Sequence, residues 1–225
     1  MAFGISGNAG GGDGDDFLPL LTYNAKAGRL KLQQRVEGVA GWETQESDIS
    51  FTSPMFVMDL AAVRVGWLLF KAGMPPVKAL AYVGHPIPPQ PVGNWGNDAQ
   101  GKPLKPRHGF VMHLMGTDRV LREFSANAGC VIDSMNTLHD AYLAAPEAAQ
   151  GMVPVVKFAG TTEMKTKHGS NFAPLWEIVK WVPRPTEFGA LPSAKPAPAP
   201  VAAAPAPVAA PAKAKVPEMD DEIPF

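Results

Sequence analysis

Apolar and polar residues alternate over residues 29–36, and this alternation predicts a β-strand. A period of two puts the apolar side chains, beginning with Leu30, on one face and Arg29, Lys31 and Arg35 on the opposite face. Three like charges on one face repel one another unless an anion lies across them. The first strand is therefore expected to carry a basic stripe that faces an anion.

Four later segments also have the composition of strands, and one has that of a helix. The polar residues 37–53 are expected to form a turn after the first strand. Further strands are expected at 56–70, 107–115, 153–159 and 175–182, with 120–124 continuing the third of the five strands or pairing with it. A helix capped by Ser125 is expected over residues 126–145. Its apolar face follows from four residues at helical spacing: Val131, Met135, Leu138 and Tyr142.

Residues 73–108 interrupt this pattern, since they are rich in Pro, Gly and Asn and contain only a short strand-like segment at 79–83. An irregular segment of this length inside a compact domain is usually functional or disordered. It includes one ring and three cations with little reason to be buried: Trp95, Lys102, Lys105 and Arg107. A second loop, at 160–174, is expected to join the last two strands and brings two more cations, Lys165 and Lys167.

Five strands with one helix between the third and the fourth follow the order of an OB-fold, a small Greek-key barrel. The sequence therefore predicts a mainly β protein whose five-stranded barrel has a long insertion between strands 2 and 3. Other α+β arrangements remain open, and no internal repeat indicates a second barrel. OB-folds bind oligonucleotides over strands 2 and 3 and through the loops that follow strands 1 and 4.

Composition divides the chain into four parts. Residues 1–16 are expected to form a flexible Gly-rich leader, and they lack the features of a phosphate-binding loop. Residues 17–189 are enough for one well-buried core, the OB-fold domain. Residues 190–217 contain 12 Ala and 8 Pro among 28 residues, so they are expected to form a disordered linker. Residues 218–225 form an acidic tip.

Charge is distributed unevenly among these parts. Residues 17–189 hold 17 Lys and Arg against 14 Asp and Glu, a net charge of +3, whereas residues 218–222 contribute four carboxylates. The single cysteine, Cys130, excludes an internal disulfide and is typical of a reducing cytoplasm. No apolar run of about 18 residues and no signal peptide are recognisable, so a cytoplasmic protein without a membrane span is expected.

No arrangement of residues indicates catalysis or a bound cofactor. The five histidines lack metal-ligand spacing, and there is neither a Cys pair nor a His-Glu-x-x-His sequence. The Gly-x-Ser-x-Gly elbow of serine hydrolases is absent as well. The sequence therefore predicts a binding protein without a metal ion or cofactor, and not an enzyme.

The acidic tip carries its charges first and its apolar side chains last. A terminal carboxylate beside an apolar ring suits a partner pocket that is apolar inside and rimmed by Lys or Arg. A solvated acidic tail is the alternative interpretation. The residues expected to contact a protein partner are Asp220, Asp221, Glu222, Ile223, Pro224 and Phe225. This ending closely resembles the Asp-Asp-Ile-Pro-Phe tip of bacterial and phage single-stranded DNA-binding proteins.

Two stretches of the body are also similar to phage-type members of this family that have an OB-fold: residues 122–125 with the helix that follows them, and residues 171–185. The resemblance implies a protein that coats single-stranded DNA during replication, recombination and repair in the bacterial cytoplasm. It further implies that the tip recruits replication and recombination proteins. The insertion at 73–108 departs from typical bacterial members, which are tetramers, and an open sheet edge would allow a homodimer instead.

Binding of single strands without sequence preference requires cations along the phosphates and flat rings for the bases. Each stacked base contributes about 1–3 kcal/mol. The rings expected to stack are Trp95 and Phe172, because both lie in polar loops, while Phe70 and Trp176 are second choices and Trp67 is assigned to the core. The residues expected to contact nucleic acid are Lys31, Arg35, Arg64, Trp95, Lys102, Lys105, Arg107, Lys165, Lys167 and Phe172.

Two alternatives to this function stay open. A protein-interaction adaptor without nucleic-acid activity would tolerate charge reversal at Lys31 and Arg35, whereas a strand-binding protein would lose affinity at low salt. An RNA-binding OB-fold protein would bind RNA of the same sequence as tightly as DNA, or more tightly.

Overall fold

The computed structural model describes residues 18–38, 41–71, 74–166 and 169–191. The expected leader and tip, and all but the first two residues of the expected linker, lie outside these ranges. The strands are β1 (Leu20–Asn24), β2 (Arg29–Gly38), β3 (Gly41–Asp48), β4 (Met55–Met58), β5 (Arg64–Leu69), β6 (Val77–Tyr82), β7 (Arg107–Gly116), β8 (Leu121–Ala126), β9 (Met152–Thr166) and β10 (Gly169–Pro183). The helices are α1 (Gly129–Ala144) and α2 (Pro146–Ala149), with short 3-10 turns at Leu60–Ala62 and Thr186–Phe188.

The prediction of a mainly β chain is confirmed, but the predicted count of five strands is wrong. Ten described strands form one sheet. The expected turn at 37–53 contains β3, whose described side chains are polar and exposed on both faces, so no apolar alternation marks it. The expected strand at 56–70 is two strands, because a 3-10 turn at Leu60–Ala62 separates β4 from β5.

Neighbouring strands follow the order β10-β9-β4-β7-β8-β1-β2-β3, while β5 pairs with both β7 and β6. Every pairing is antiparallel except that of β1 with β8. The ladder does not close on itself into a barrel. Instead, the Phe172 N–H of β10 donates to the Ala25 carbonyl at 2.7 Å, so that β10 meets the turn between β1 and β2.

The β9–β10 hairpin is longer than the sequence indicates. The loop expected at 160–174 is mostly strand, since both strands run for 15 residues and their pairing extends to Thr166 opposite Gly169. Several side chains near this end are exposed, among them Glu163 and Lys165. A two-stranded ribbon that contacts solvent needs no apolar face, and the periodicity that reveals a half-buried strand is therefore missing here.

The helix between β8 and β9 confirms the expected apolar face. Val131, Met135, Leu138 and Tyr142 are all buried against inward-facing residues of the sheet such as Phe124. Burial of side chains of this size stabilises the fold by about 1.5–3 kcal/mol each. The expected cap is wrong, because Ser125 pairs with Val111 inside the β7–β8 ladder and the helix begins only at Gly129.

A buried ion pair fixes the segment that follows β10. The Arg184 guanidinium donates two hydrogen bonds to Asp59, from Nε to Oδ1 at 2.9 Å and from Nη2 to Oδ2 at 2.6 Å. Arg184 also donates to the carbonyl groups of Phe188 and Gly189. Because the Asp59 side chain is 1% exposed, this bidentate pair ties the end of the described chain to the turn after β4.

Candidate nucleic-acid interface

Three of the expected cations line one cleft of about 440 Å³ at the end of β5 and the beginning of β7. Lys102 and Lys105 come from the 83–106 loop, and Arg107 is the first residue of β7. Phe70, which follows β5 directly, lies in the same cleft with 42% of its surface exposed. These four residues define the cationic cleft.

The loop that carries Lys102 and Lys105 is held by its own hydrogen bonds. The Asp98 carboxylate accepts the backbone N–H groups of Gln100 and Lys102 at 2.9 and 2.8 Å. A backbone bond from Leu104 N–H to the Gly96 carbonyl, 2.8 Å long, closes the base of this turn. The two lysines therefore extend from an ordered backbone, which reduces the entropy lost when they bind a ligand.

The cations of the cleft face solvent without an acidic partner. Lys102, Lys105 and Arg107 are exposed, and none of them forms an ion pair with any residue in the described ranges. Asp98 also lines the cleft, but its Oδ1 accepts the backbone N–H groups of its own loop. The cleft therefore presents an excess of positive charge beside an exposed ring, which is the combination that single-stranded nucleic acid requires.

Trp95 lies in the same loop but does not line the cleft. Its ring packs over Gly93, where an added Cβ would come within 2.9 Å of the indole. Its carbonyl accepts a hydrogen bond of 2.8 Å from the Lys71 ammonium. The half-buried Trp95 ring thus covers its own loop with one face, while the second-choice ring, Phe70, lies among the cations.

Two of the three cations in the basic stripe of β2 have acidic partners on the neighbouring strand. Lys31 forms an ion pair with Glu46 of β3, and Gln33 donates to the same carboxylate at 2.9 Å. Arg29 lies 3.8 Å from the Asp48 carboxylate. For Arg29 and Lys31, the anion that the stripe requires is therefore supplied by β3. The hydrogen bonds from Lys31 and Gln33 hold the pKa of Glu46 below its usual value.

Two other expected cations of the sheet are not among the described residues that line the cleft. Arg35 pairs through its backbone with Thr44, and its side chain lies outside the described parts. Arg64, the first residue of β5, has its Nη2 3.5 Å from the ring nitrogen Nε2 of His113.

The remaining expected contacts lie on the β9–β10 hairpin. Lys165 is exposed opposite Ser170, whereas Lys167 lies outside the described residues. The Phe172 ring covers Gly28, where an added Cβ would lie 3.1 Å from the ring. Trp176 packs edge-on against Phe124 and Phe158 in the core, with ring centroids 6.0 and 5.4 Å apart.

Sequence reasoning missed a pair of contacting rings, tilted by 39° to one another, next to the cleft. The Trp67 and His108 rings lie 3.9 Å apart, centroid to centroid, and Trp67 Nε1–H donates to the Pro88 carbonyl at 3.1 Å. The strand spacing of Trp67 predicts a place in the core, yet its side chain is only half buried. The position of His108, directly after Arg107 in a loop-to-strand junction, is the signal that could have indicated this pair.

Neither helix in the described ranges has the length and apolar character needed to cross a bilayer. Within the same ranges, no group of three His, Cys, Asp or Glu side chains is arranged to hold a metal ion. Burial raises the pKa of the Cys130 thiol, whose Sγ lies 3.6 Å from the Phe172 carbonyl oxygen.

Comparisons of this chain with protein-family models, with curated proteins and with solved structures find no match.

Proposed function

We propose that this protein binds single-stranded DNA without strong sequence preference, as a non-enzymatic protein of replication and recombination in the cytoplasm. The observation that carries the proposal is the cationic cleft, where Lys102, Lys105 and Arg107 surround the exposed Phe70 ring. Cations without acidic partners attract phosphates, and an exposed ring offers a stacking surface to any base. This chemistry is independent of sequence, because every nucleotide has a phosphate and a π-face.

The strand connections support an OB-fold, with an assignment that differs from the one based on periodicity. We take β4 and β5 together as barrel strand 1, β7 and β8 as strands 2 and 3, and β9 and β10 as strands 4 and 5, with α1 between strands 3 and 4. The ladders β4–β7, β5–β7, β7–β8, β4–β9 and β9–β10 fit this plan. In it, β1 occupies the space between strands 3 and 5, which would otherwise be neighbours.

This assignment gives the cleft a position that suits nucleic-acid binding. The 83–106 loop belongs to the connection after barrel strand 1, and the β9–β10 hairpin is the connection after strand 4. These are the two connections through which OB-folds contact oligonucleotides. A strand bound in the cleft would run towards Lys165 and Phe172 on the hairpin, and we retain both as contact residues.

The recruitment of partner proteins rests on the sequence of the tip alone. Its carboxylates and its Ile-Pro-Phe ending suit a basic-rimmed apolar pocket on a replication or recombination protein. A homodimer through an open sheet edge remains part of the proposal, since β3 and β10 lie at the two ends of the strand order.

The adaptor alternative needs a different test from the one that the sequence suggests. Lys31 is already paired with Glu46, so charge reversal at Lys31 would have little effect on strand binding in either case. The cleft residues discriminate instead, because an adaptor has no use for their unpaired charge. An RNA-binding protein would use the same cleft, and only direct competition between DNA and RNA separates it.

A fluorescence titration of the protein, which has five tryptophans, tests the proposal. Single-stranded oligonucleotides are added at two salt concentrations, with duplex DNA and RNA of the same sequence as controls. We expect quenching by single-stranded DNA, weak binding of duplex, and an affinity that falls as salt rises. Absence of binding at low salt would contradict the proposal and leave the adaptor function, while preference for RNA would favour the RNA-binding alternative.

A further inference from the structure

A second cavity, of about 350 Å³, is lined in part by His108, whose ring contacts that of Trp67. β5 and the beginning of β7 form two of its walls, the turn at 83–87 forms the third, and α1 forms the floor. The walls are apolar, with Val65, Phe110 and Met135 among the side chains that line them. A cavity of this size lies at the lower end of the range that accommodates small molecules.

Four polar side chains line this apolar cavity: His85, His108, Asn136 and His139. Neutral imidazole has one donor and one acceptor, and an amide has both. No acidic or cationic side chain is among the described residues that line the cavity. The cavity is therefore suited to an uncharged flat ligand whose edge carries both donors and acceptors, and among the described residues its histidines are not arranged to hold a metal ion.

The cavity and the cationic cleft are neighbours through one strand. Arg107 lines the cleft and His108 lines the cavity, and consecutive residues of a strand point to opposite faces. Their Cα atoms are about 3.8 Å apart, as in any trans peptide. The two side chains therefore lie on opposite faces of the sheet at the beginning of β7, and a single strand bound at Arg107 reaches the cavity mouth at His108 by passing around this end of the sheet.

We propose that the histidine-rimmed cavity, defined by His85, His108, Asn136 and His139, captures one nucleobase of the strand bound in the cationic cleft. The base enters edge first, with its ring between the apolar walls and its polar edge on Asn136 and the histidines. Nucleobases alone among the parts of a nucleic acid combine a flat apolar face with an uncharged edge of donors and acceptors. This inference rests on the proposed function for the delivery of the strand.

The test narrows the cavity mouth without disturbing the core. Val83 lines the cavity and is 47% exposed, so Val83→Phe partly fills the mouth. Val92, 99% exposed and not among the cavity-lining residues, provides the matched control Val92→Phe. We expect Val83→Phe to weaken the binding of a labelled single-stranded oligonucleotide about 5- to 100-fold, the range for loss of one base contact, with an unchanged salt slope.

Two further arms make the outcome decisive. In a second set of oligonucleotides, one base at a time is replaced by an abasic site. Loss of the captured base should weaken binding to the wild-type protein, and the affinities of wild type and Val83→Phe for that oligonucleotide should differ less. Free thymidine and deoxyadenosine, which carry no phosphate, should shift the imidazole NMR signals of His85, His108 and His139 in the wild-type protein. Equal oligonucleotide affinities for Val83→Phe and Val92→Phe, with no nucleoside-induced shifts, would overturn the proposal.

Failure of this inference is distinguishable from failure of the proposed function. One outcome is that the wild-type protein binds oligonucleotides while Val83→Phe has no effect and nucleosides cause no NMR shifts. In that case the cleft binds DNA and the cavity captures no base. If the protein binds no oligonucleotide at all, the proposed function fails, and the nucleoside NMR experiment still decides whether the cavity accepts a base.

Discussion

The β2–β3 hairpin and the cationic cleft carry similar basic side chains in different electrostatic surroundings. In the hairpin, Lys31 is paired with Glu46 and Arg29 lies beside Asp48. In the cleft, Lys102 and its two neighbouring cations have no acidic partner in the described ranges. A cation is therefore available to a ligand only where no neighbouring carboxylate side chain pairs with it.

The difference arises from what each neighbouring segment does with its acidic residues. The β2–β3 register puts Lys31 opposite Asp48 and Gln33 opposite Glu46, so the carboxylates of β3 lie over the stripe of β2. In the cleft, Asp98 accepts the N–H groups of its own turn. The carboxylates of β3 therefore pair with cations of the neighbouring strand, whereas the Asp98 carboxylate orders the loop that carries Lys102.

The largest expected effect comes from reversing the charge of the cleft. We expect the triple variant Lys102→Glu, Lys105→Glu, Arg107→Glu to bind single-stranded DNA at least about 100-fold more weakly at low salt, since three phosphate contacts are lost. The salt slope should fall by about 2, at about 0.7 for each contact. Lys31→Glu is the control, with a change below about twofold because that charge is already paired. Equal losses in the two variants would remove the distinction between the two regions.

Removal of the exposed ring should have the next largest effect. Phe70→Ala is expected to weaken binding about 5- to 100-fold through the loss of one stacked base, with an unchanged salt slope. Phe51, 80% exposed and in contact with Arg29 at 4.2 Å, gives the matched control beside the hairpin. Equilibrium titrations of Phe70→Ala and Phe51→Ala measure the difference, and similar affinities would show that Phe70 does not stack on a base.

Removal of the acidic partner of Lys31 should have a smaller effect on binding. Glu46→Gln removes the carboxylate that neutralises Lys31 but keeps the size of the side chain. We expect affinity for single-stranded DNA to rise about two- to threefold at low salt, with the salt slope steeper by at most about 0.7, if Lys31 then reaches one phosphate. Unchanged affinity and slope would place β2 outside the path of the strand.

A third arrangement, in which the cation itself is buried, affects the stability of the fold. Arg122 is 5% exposed at its side chain and donates to Asp118, which holds the pKa of that carboxyl near 2, below the usual 3.8. A lowered folded-state pKa stabilises the protein above about pH 4, and this contribution is lost as the pH falls towards 2. Because the Asp118 side chain is half exposed, we expect only about 1 kcal/mol.

Chemical unfolding between pH 5 and pH 2 measures this contribution. The difference in unfolding free energy between wild type and Asp118→Asn should shrink as the pH falls, because both then carry an uncharged side chain at position 118. A difference that stays constant over this range would show that the pKa of Asp118 is the same in the folded and the unfolded protein.

Periodicity predicted the buried parts of the fold and missed the exposed ones. The helix face from Val131 to Tyr142 is found where it was expected, since it packs against the sheet. The short strand expected at 79–83 lies close to β6. β3 and the outer half of the β9–β10 hairpin could not be recognised, because exposed ribbons carry no apolar alternation. The division of 56–70 was hidden too, since a 3-10 turn preserves an apolar composition.

The site was predictable in its residues but not in its grouping. A loop rich in Gly and Pro with Lys102, Lys105 and Arg107 indicated exposed cations, and these do share a cleft. The pairing of Lys31 with Glu46 depends on the register of a strand that the sequence did not reveal. Phe70 and not Trp95 lies in the cleft because the Trp95 ring packs over Gly93, and no local sequence pattern encodes that packing.

The alternation of Arg107 and His108 at the beginning of β7 restricts how this protein can change by mutation. Insertion or deletion of one residue within β7 would exchange the two faces, so that the imidazole would enter the cleft and the guanidinium the cavity. A change of length in the 83–106 loop leaves that alternation intact. Related sequences should therefore differ in loop length before Arg107 and agree in spacing after it.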